Sequence, residues 1–133
     1  MKDYKTAIVP TLSVKNGMAA LAFYKKAFNA VELMRVDSAD GLVVAELSID
    51  GAIFFIADES PEHGNLSPIT AAGVTARMGL FVANPDEVAD KAVAAGATLL
   101  YPVADQDYGY RLGAVIDPFG HKWEIGMKLK EIG

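Results

Sequence analysis

The sequence states one pattern twice. Leu12-Ser13-Val14-Lys15-Asn16 lines up with Leu80-Phe81-Val82-Ala83-Asn84, 68 positions on. After one deletion, Asn29-Ala30-Val31-Glu32-Leu33 lines up with Gly96-Ala97-Thr98-Leu99-Leu100. In each copy a strand pattern runs into an asparagine, a helical pattern follows, and three strand patterns come after it. Each half therefore reads β-α-β-β-β. One helix covers only one face of a four-stranded sheet, so neither half can bury both faces alone. Two copies side by side predict an α+β fold, an open eight-stranded cup with helices on its convex face and a pocket on its concave side.

The elements follow from local signals. Ala7–Val14 reads as a strand, with Pro10 confined to its start or to an edge because it has no N–H. Asn16 is a plausible N-cap for a helix over Met18–Asn29, in which Ala20, Leu21, Tyr24, Ala27 and Phe28 recur at three- and four-residue spacing. Asn29 suits a left-handed C-cap. Strands follow at Val31–Val36, Leu42–Ile49 and Ala52–Ala57, the last two joined by Asp50-Gly51, a strong hairpin signal. Ala52–Ala57 is apolar on both faces and reads as a central strand. A loop rich in Pro, Gly, Ser and Asn connects to the second copy. There Ala76–Val82 is a strand, Asn84-Pro85-Asp86-Glu87 starts a helix, and Gly96 ends it. Ala97–Val103, Tyr110–Ile116 and His121–Met127 complete the pattern. Residues 1–133 thus form one domain, with repeat one over about 7–58, a loop over 59–75 and repeat two over about 76–127.

Composition narrows the function. The 133 residues carry a net charge of −5 with no basic run, a poor match for nucleic acid or an anionic membrane. There is no cysteine, which removes disulfides and thiolate chemistry. Met1–Lys5 leads into a strand-like run without a signal-peptide apolar region, and no stretch is apolar for the roughly 20 residues of a membrane span. The expectation is a cytoplasmic protein.

The closing hairpin, VIDPFGHKWEIG, concentrates the polar chemistry. Asp117-Pro118-Phe119-Gly120 is the turn. On the returning strand Trp123 and Ile125 share one face, and Lys122 and Glu124 share the other. Trp123 reads as core under a helix. His121 reads as a polar residue beside the turn, and His63 as a surface histidine of the long loop.

With the βαβββ repeat and this hairpin in hand, the chain resembles the vicinal oxygen chelate superfamily, the group of glyoxalase I, the bleomycin-resistance proteins and the extradiol dioxygenases. The resemblance rests on LSVKNGMAALAFYKKAFNA, VAELSIDG and YGYRLGAVIDPFGHKWEIG. In metal-using members four positions on four strands bind one divalent cation. Carried over singly, they fall here on Val9, Glu46, Arg77 and Glu124. Both carboxylates are present and both usual imidazole positions are lost.

That departure shapes the expectation. Two glutamates facing one cavity repel each other and resist burial. Arg77 between them would relieve this as a metal would, and would repel a metal. Hence no metal and no cofactor are expected. The pocket is expected to comprise Glu46, Arg77, Glu124, Phe81 and Tyr110, with Tyr108 and Arg111 at its rim and one of Phe54 and Phe55 on its wall. Each residue also has a plainer reading, as a solvated carboxylate, a surface arginine or rim packing.

Two functions compete. One is a metal-independent, homodimeric binding protein for a hydrophobic or aromatic small molecule, as in antibiotic sequestration; Glu46 and Glu124 could then meet a cationic drug. The other is a divalent-metal-dependent lyase or isomerase of the glyoxalase or epimerase type, with Glu46 and Glu124 holding the metal and one of them acting as base. Open sheet edges add to the case for a homodimer.

Overall fold

The computed structural model describes residues 4–129. In chain order its elements are β1 (Thr11–Val14), α1 (Gly17–Phe28), β2 (Val31–Asp37), β3 (Val43–Ile49), β4 (Ala52–Asp58), a 3₁₀ turn (Pro61–His63), α2 (Pro68–Ala71), β5 (Met78–Phe81), α3 (Pro85–Ala95), β6 (Thr98–Asp105), β7 (Tyr110–Ile116) and β8 (Lys122–Lys128). The strands form two open four-stranded sheets of identical plan, β1-β4-β3-β2 and β5-β8-β7-β6. In each, the first strand pairs parallel with the last of its repeat and the other pairs are antiparallel. This is the α+β architecture of two βαβββ repeats.

The caps act where the sequence places them. Asn16 Oδ1 accepts from the Ala19 N–H at 3.0 Å, and Asn84 Oδ1 from the Glu87 N–H at 3.2 Å. Asn29 adopts φ 55° at the end of α1. Asp50 and Gly51, at φ 51° and 91°, form the left-handed pair of a two-residue hairpin turn. Two stretches differ from expectation. The first strand begins at Thr11, not Ala7, because Pro10 offers the ladder only its carbonyl, which accepts from Phe55 N at 2.8 Å. The long loop folds the 3₁₀ turn and α2, since Ser67 caps Thr70 N at 3.3 Å and Glu59 accepts from Ser67 N at 2.8 Å.

The two repeats share one core. Tyr24 of α1 packs on Phe54 of the first sheet and on Trp123 of the second, with centroids 5.4 and 5.7 Å away. Phe28 reaches Trp123 at 4.8 Å, and Phe54 meets Trp123 edge-on at 5.7 Å. Helix α1 therefore lies against the inner faces of both sheets, beside α3. Burying each of these rings contributes about 1.5–3 kcal/mol.

Asp117 is the polar centre of this core, 4% exposed. Its carboxylate accepts from the Tyr24 hydroxyl, from Trp123 Nε1 at 2.9 Å, and from the N–H groups of Phe119 and His121 at 2.9 and 3.0 Å. Nearby, His121 Nε2 donates to the Ser13 carbonyl at 2.9 Å, so this histidine joins the second repeat to β1 rather than merely decorating a turn. Asp58 does similar work in the first repeat, accepting from Gly17 N at 2.8 Å and Val43 N at 2.7 Å.

Candidate functional site

Strand alternation decides which residues are offered to a ligand. In the first sheet Val43, Ala45 and Leu47 point into the core, and Val44, Glu46 and Ser48 point away from it. In the second sheet Trp123 and Ile125 point inward, and Lys122 and Glu124 outward. Glu46 and Glu124 thus lie on the open faces of two different sheets, and both faces look away from the shared core.

The open face of the second sheet gathers four of the five residues singled out from the sequence. Arg77, just before β5, brings Nε to 3.1 Å from Glu124 Oε2. Phe81, two pleats along, sits with its ring 5.7 Å from that of Tyr110, and Tyr108 follows at 6.2 Å. Tyr101, on β6 and opposite Ala114, was not singled out. Its side chain is exposed, and its hydroxyl donates to Glu124 Oε2 at 3.4 Å. Desolvation first, and then the Glu124 charge, push its ionisation above the ordinary tyrosine range. The irregular pairing around Tyr101 hides its parity, which is why spacing alone did not find it.

The fifth residue, Glu46, stands apart in the first sheet, paired across strands with Met34 and Phe55. Around it the open face is apolar: Val31, Val36 and Val44 are each more than two-fifths exposed. Phe55 is the phenylalanine on this wall, and Phe54 is the one in the core. Arg111 does not belong to the rim set. It lies on the opposite face from Tyr110, where it grips Asp86 of α3 through Nε and Nη2 at 2.8 and 2.7 Å, and Asp105 at 2.9 Å. These hydrogen bonds hold the Arg111 pKa above its ordinary value and the Asp86 carboxyl below its own. His63 is exposed and contacts Ser60 Oγ at 2.6 Å.

Three cavities open away from the Arg77–Glu124 pair, although Phe81 and Lys128 line one of them. One of about 460 Å³ opens between the end of α1, the Asp50 turn and α3, and one of about 450 Å³ adjoins it across Leu80 and Val82. A third, of about 190 Å³, lies along the seam between β4 and β5. None of the three is lined by Glu46, Arg77 or Glu124.

The donor set at the four family positions does not suit a divalent cation. It consists of an alkyl side chain, two carboxylates on separate faces, and a guanidinium already paired with one of them. Among the described residues, no three His, Asp or Glu side chains gather where they could hold a metal ion. None of the described helices is long and apolar enough to cross a membrane.

Comparison with known proteins follows this geometry. Residues 7–125 match the sequence model of the Glyoxalase/Bleomycin resistance protein/Dioxygenase superfamily. The uncharacterized protein Mb0911c of Mycobacterium bovis is 38% identical over 134 residues, covering 98% of this chain and 88% of that protein. A glyoxalase-related enzyme from Fulvimarina pelagi is 21% identical with a TM-score of 0.73, covering 93% of this chain and 89% of that one. The fosfomycin resistance protein FosX from Listeria monocytogenes, complexed with Mn(II) and sulfate, is 17% identical with a TM-score of 0.68, covering 93% of each chain. At these identities the two structural likenesses bear on the fold.

Proposed function

We propose that this chain, which belongs to the Glyoxalase/Bleomycin resistance protein/Dioxygenase superfamily, is a metal-independent, cytoplasmic binding protein for hydrophobic or aromatic small molecules. The observation that carries this reading is the Arg77–Glu124 pair at 3.1 Å. A guanidinium stands where metal-using relatives place an imidazole, and its permanent charge balances the carboxylate without a cation. Phe81, Tyr108 and Tyr110 supply flat apolar surface further along the same face. Sequestration of an antibiotic is one use of such a face.

The site is completed in a homodimer. Glu46 and Glu124 lie on faces that both look away from one core, so a second copy must turn its first sheet toward the Arg77 face to bring them together. The exposed Val31, Val36 and Val44 support this, since an apolar open face gains by being covered.

Metal analysis tests the reading. Protein purified without chelator or affinity tag should contain no stoichiometric metal and bind none on titration with Ni²⁺, Zn²⁺, Mn²⁺ or Mg²⁺. One tightly held ion per chain, lost in Glu46→Gln or Glu124→Gln, would instead establish the metal-dependent lyase or isomerase.

A further inference from the structure

We infer that the ligand of the second sheet's open face is an aromatic acid, ionised at neutral pH, whose anionic group is received by Arg77. The inference rests on reading that face as a binding surface and adds the charge of what it binds.

The face is cationic in an acidic protein. The chain as a whole carries −5. Yet Arg77 and the β8 residues Lys122 and Lys128 share this face with a single strand carboxylate, Glu124. That carboxylate is spent on Arg77 and Tyr101. Among the described residues neither Lys122 nor Lys128 forms an ion pair. Lys122 instead holds its Nζ 6.0 Å from the centre of the Tyr101 ring. Even with Glu46 supplied by a second copy, the cations outnumber the carboxylates. A cationic ligand would meet repulsion here.

Arg77 is also the arginine left with donors to give. The sequence has three arginines. Arg111 donates three hydrogen bonds to Asp86 and Asp105. Arg35 donates to Met18 Sδ and pairs with Glu32 and Asp37 on the helix side of its sheet. Arg77 contacts Glu124 as an ion pair only, makes no hydrogen bond among the described residues, and is 60% exposed. Its planar fork matches a carboxylate through two parallel N–H donors. Further along the same face Phe81, Tyr110 and Tyr108 cluster, with Tyr110 5.7 Å from Phe81 and 6.2 Å from Tyr108, and offer apolar surface to the aromatic body.

Three probes of one shape and different charge test this: 2-naphthoate, 2-naphthylmethanol and 2-naphthylmethylammonium, titrated calorimetrically into the intact protein. Naphthoate should bind at least tenfold tighter than the alcohol, and the ammonium most weakly. Arg77→Gln should bring naphthoate down to the alcohol's affinity while changing the alcohol less than twofold. Lys122→Gln should remove part of the same advantage, and Arg35→Gln none of it. If the alcohol binds as well as naphthoate, or the ammonium binds best, the acid is wrong while the binding surface stands. If none of the three binds, the surface reading and the acid fall together.

Discussion

Arg77 and Tyr101 converge on one atom, Glu124 Oε2, from opposite edges of the second sheet, at 3.1 and 3.4 Å. The carboxylate is the hinge of the site. Glu124→Gln removes the charge that helps hold the proton on Tyr101, while the burial that dominates the effect remains. The Tyr101 ionisation should therefore move down, part of the way toward its ordinary value. Ultraviolet difference titration of this variant, with Tyr101→Phe to identify the signal, checks it. An unchanged titration would mean that the two groups do not communicate.

Replacing two side chains should create what the natural site lacks. With Val9→His and Arg77→His in one chain, the positions used by metal-binding relatives regain their imidazoles beside Glu46 and Glu124, and the competing cation disappears. This double variant should take up Ni²⁺ or Zn²⁺ tightly, and the parent should not. Equal uptake by both would contradict the role given to Arg77.

The apolar open face of the first sheet should govern assembly. Val36→Asp or Val44→Asp places a charge on a surface the proposal covers with a second copy, whereas the monomer core is untouched. Sedimentation should shift from dimer to monomer with the circular dichroism unchanged. A parent that already sediments as a monomer would remove the two-chain site.

Tyr24 links stability to alkali. Burial, followed by the charge and hydrogen bond of Asp117, raises its ionisation well above the ordinary tyrosine value of 10.0. The fold therefore holds this proton more tightly than the unfolded chain does. Its contribution is complete below pH 10 and is lost as pH climbs through the folded-state value. Tyr24→Phe should cost about 1.5–3 kcal/mol at neutral pH, the worth of a hydrogen bond to a charged group. It should also flatten the alkaline fall in stability. Urea unfolding followed by Trp123 fluorescence, across pH 7 to 11, reads both.

Acid acts through a different set. Hydrogen bonds from the Ser67 N–H and the Thr70 hydroxyl hold the Glu59 carboxyl below its ordinary 4.5, and the Lys25 hydrogen bond does the same for Glu32. Carboxyls depressed in the fold stabilise above their unfolded value and lose that contribution as pH falls. Thermal stability should fall as pH drops below 4.5, and less steeply in Glu59→Gln. An identical acid profile in the variant would show that the Glu59 cap over α2 contributes nothing.

Local chemistry made most of the fold legible. Asn16, Asn29, Asn84 and the Asp50-Gly51 pair each carry a signal that acts within four residues, and each appears in the structure where the sequence puts it. Strand parity gives Phe81 the face of Arg77, whereas Arg77 and Glu124 themselves come from the resemblance and Tyr110 reads as an aromatic at the cup's mouth. What escaped depended on irregular or distant geometry. Tyr101 lies where pairing slips, and Arg111 turned out to serve α3 on the far side. Asp117 looked like a turn former, because its partners Tyr24 and Trp123 come from a helix 93 residues away and from the next strand. The separation of Glu46 from Glu124 was also invisible, since a repeat specifies its own sheet but not how two sheets are set against each other.

The placement of α1 against both sheets has a consequence for how the chain unfolds. Each half bears the full βαβββ plan, yet the two share one core through Tyr24, Trp123 and Asp117. Without the second repeat, Tyr24 would face water where Trp123 and Asp117 now receive it; without the first, Asp117 would keep its turn but lose its phenol. With one core shared by both repeats, the chain should melt in a single cooperative transition rather than half by half.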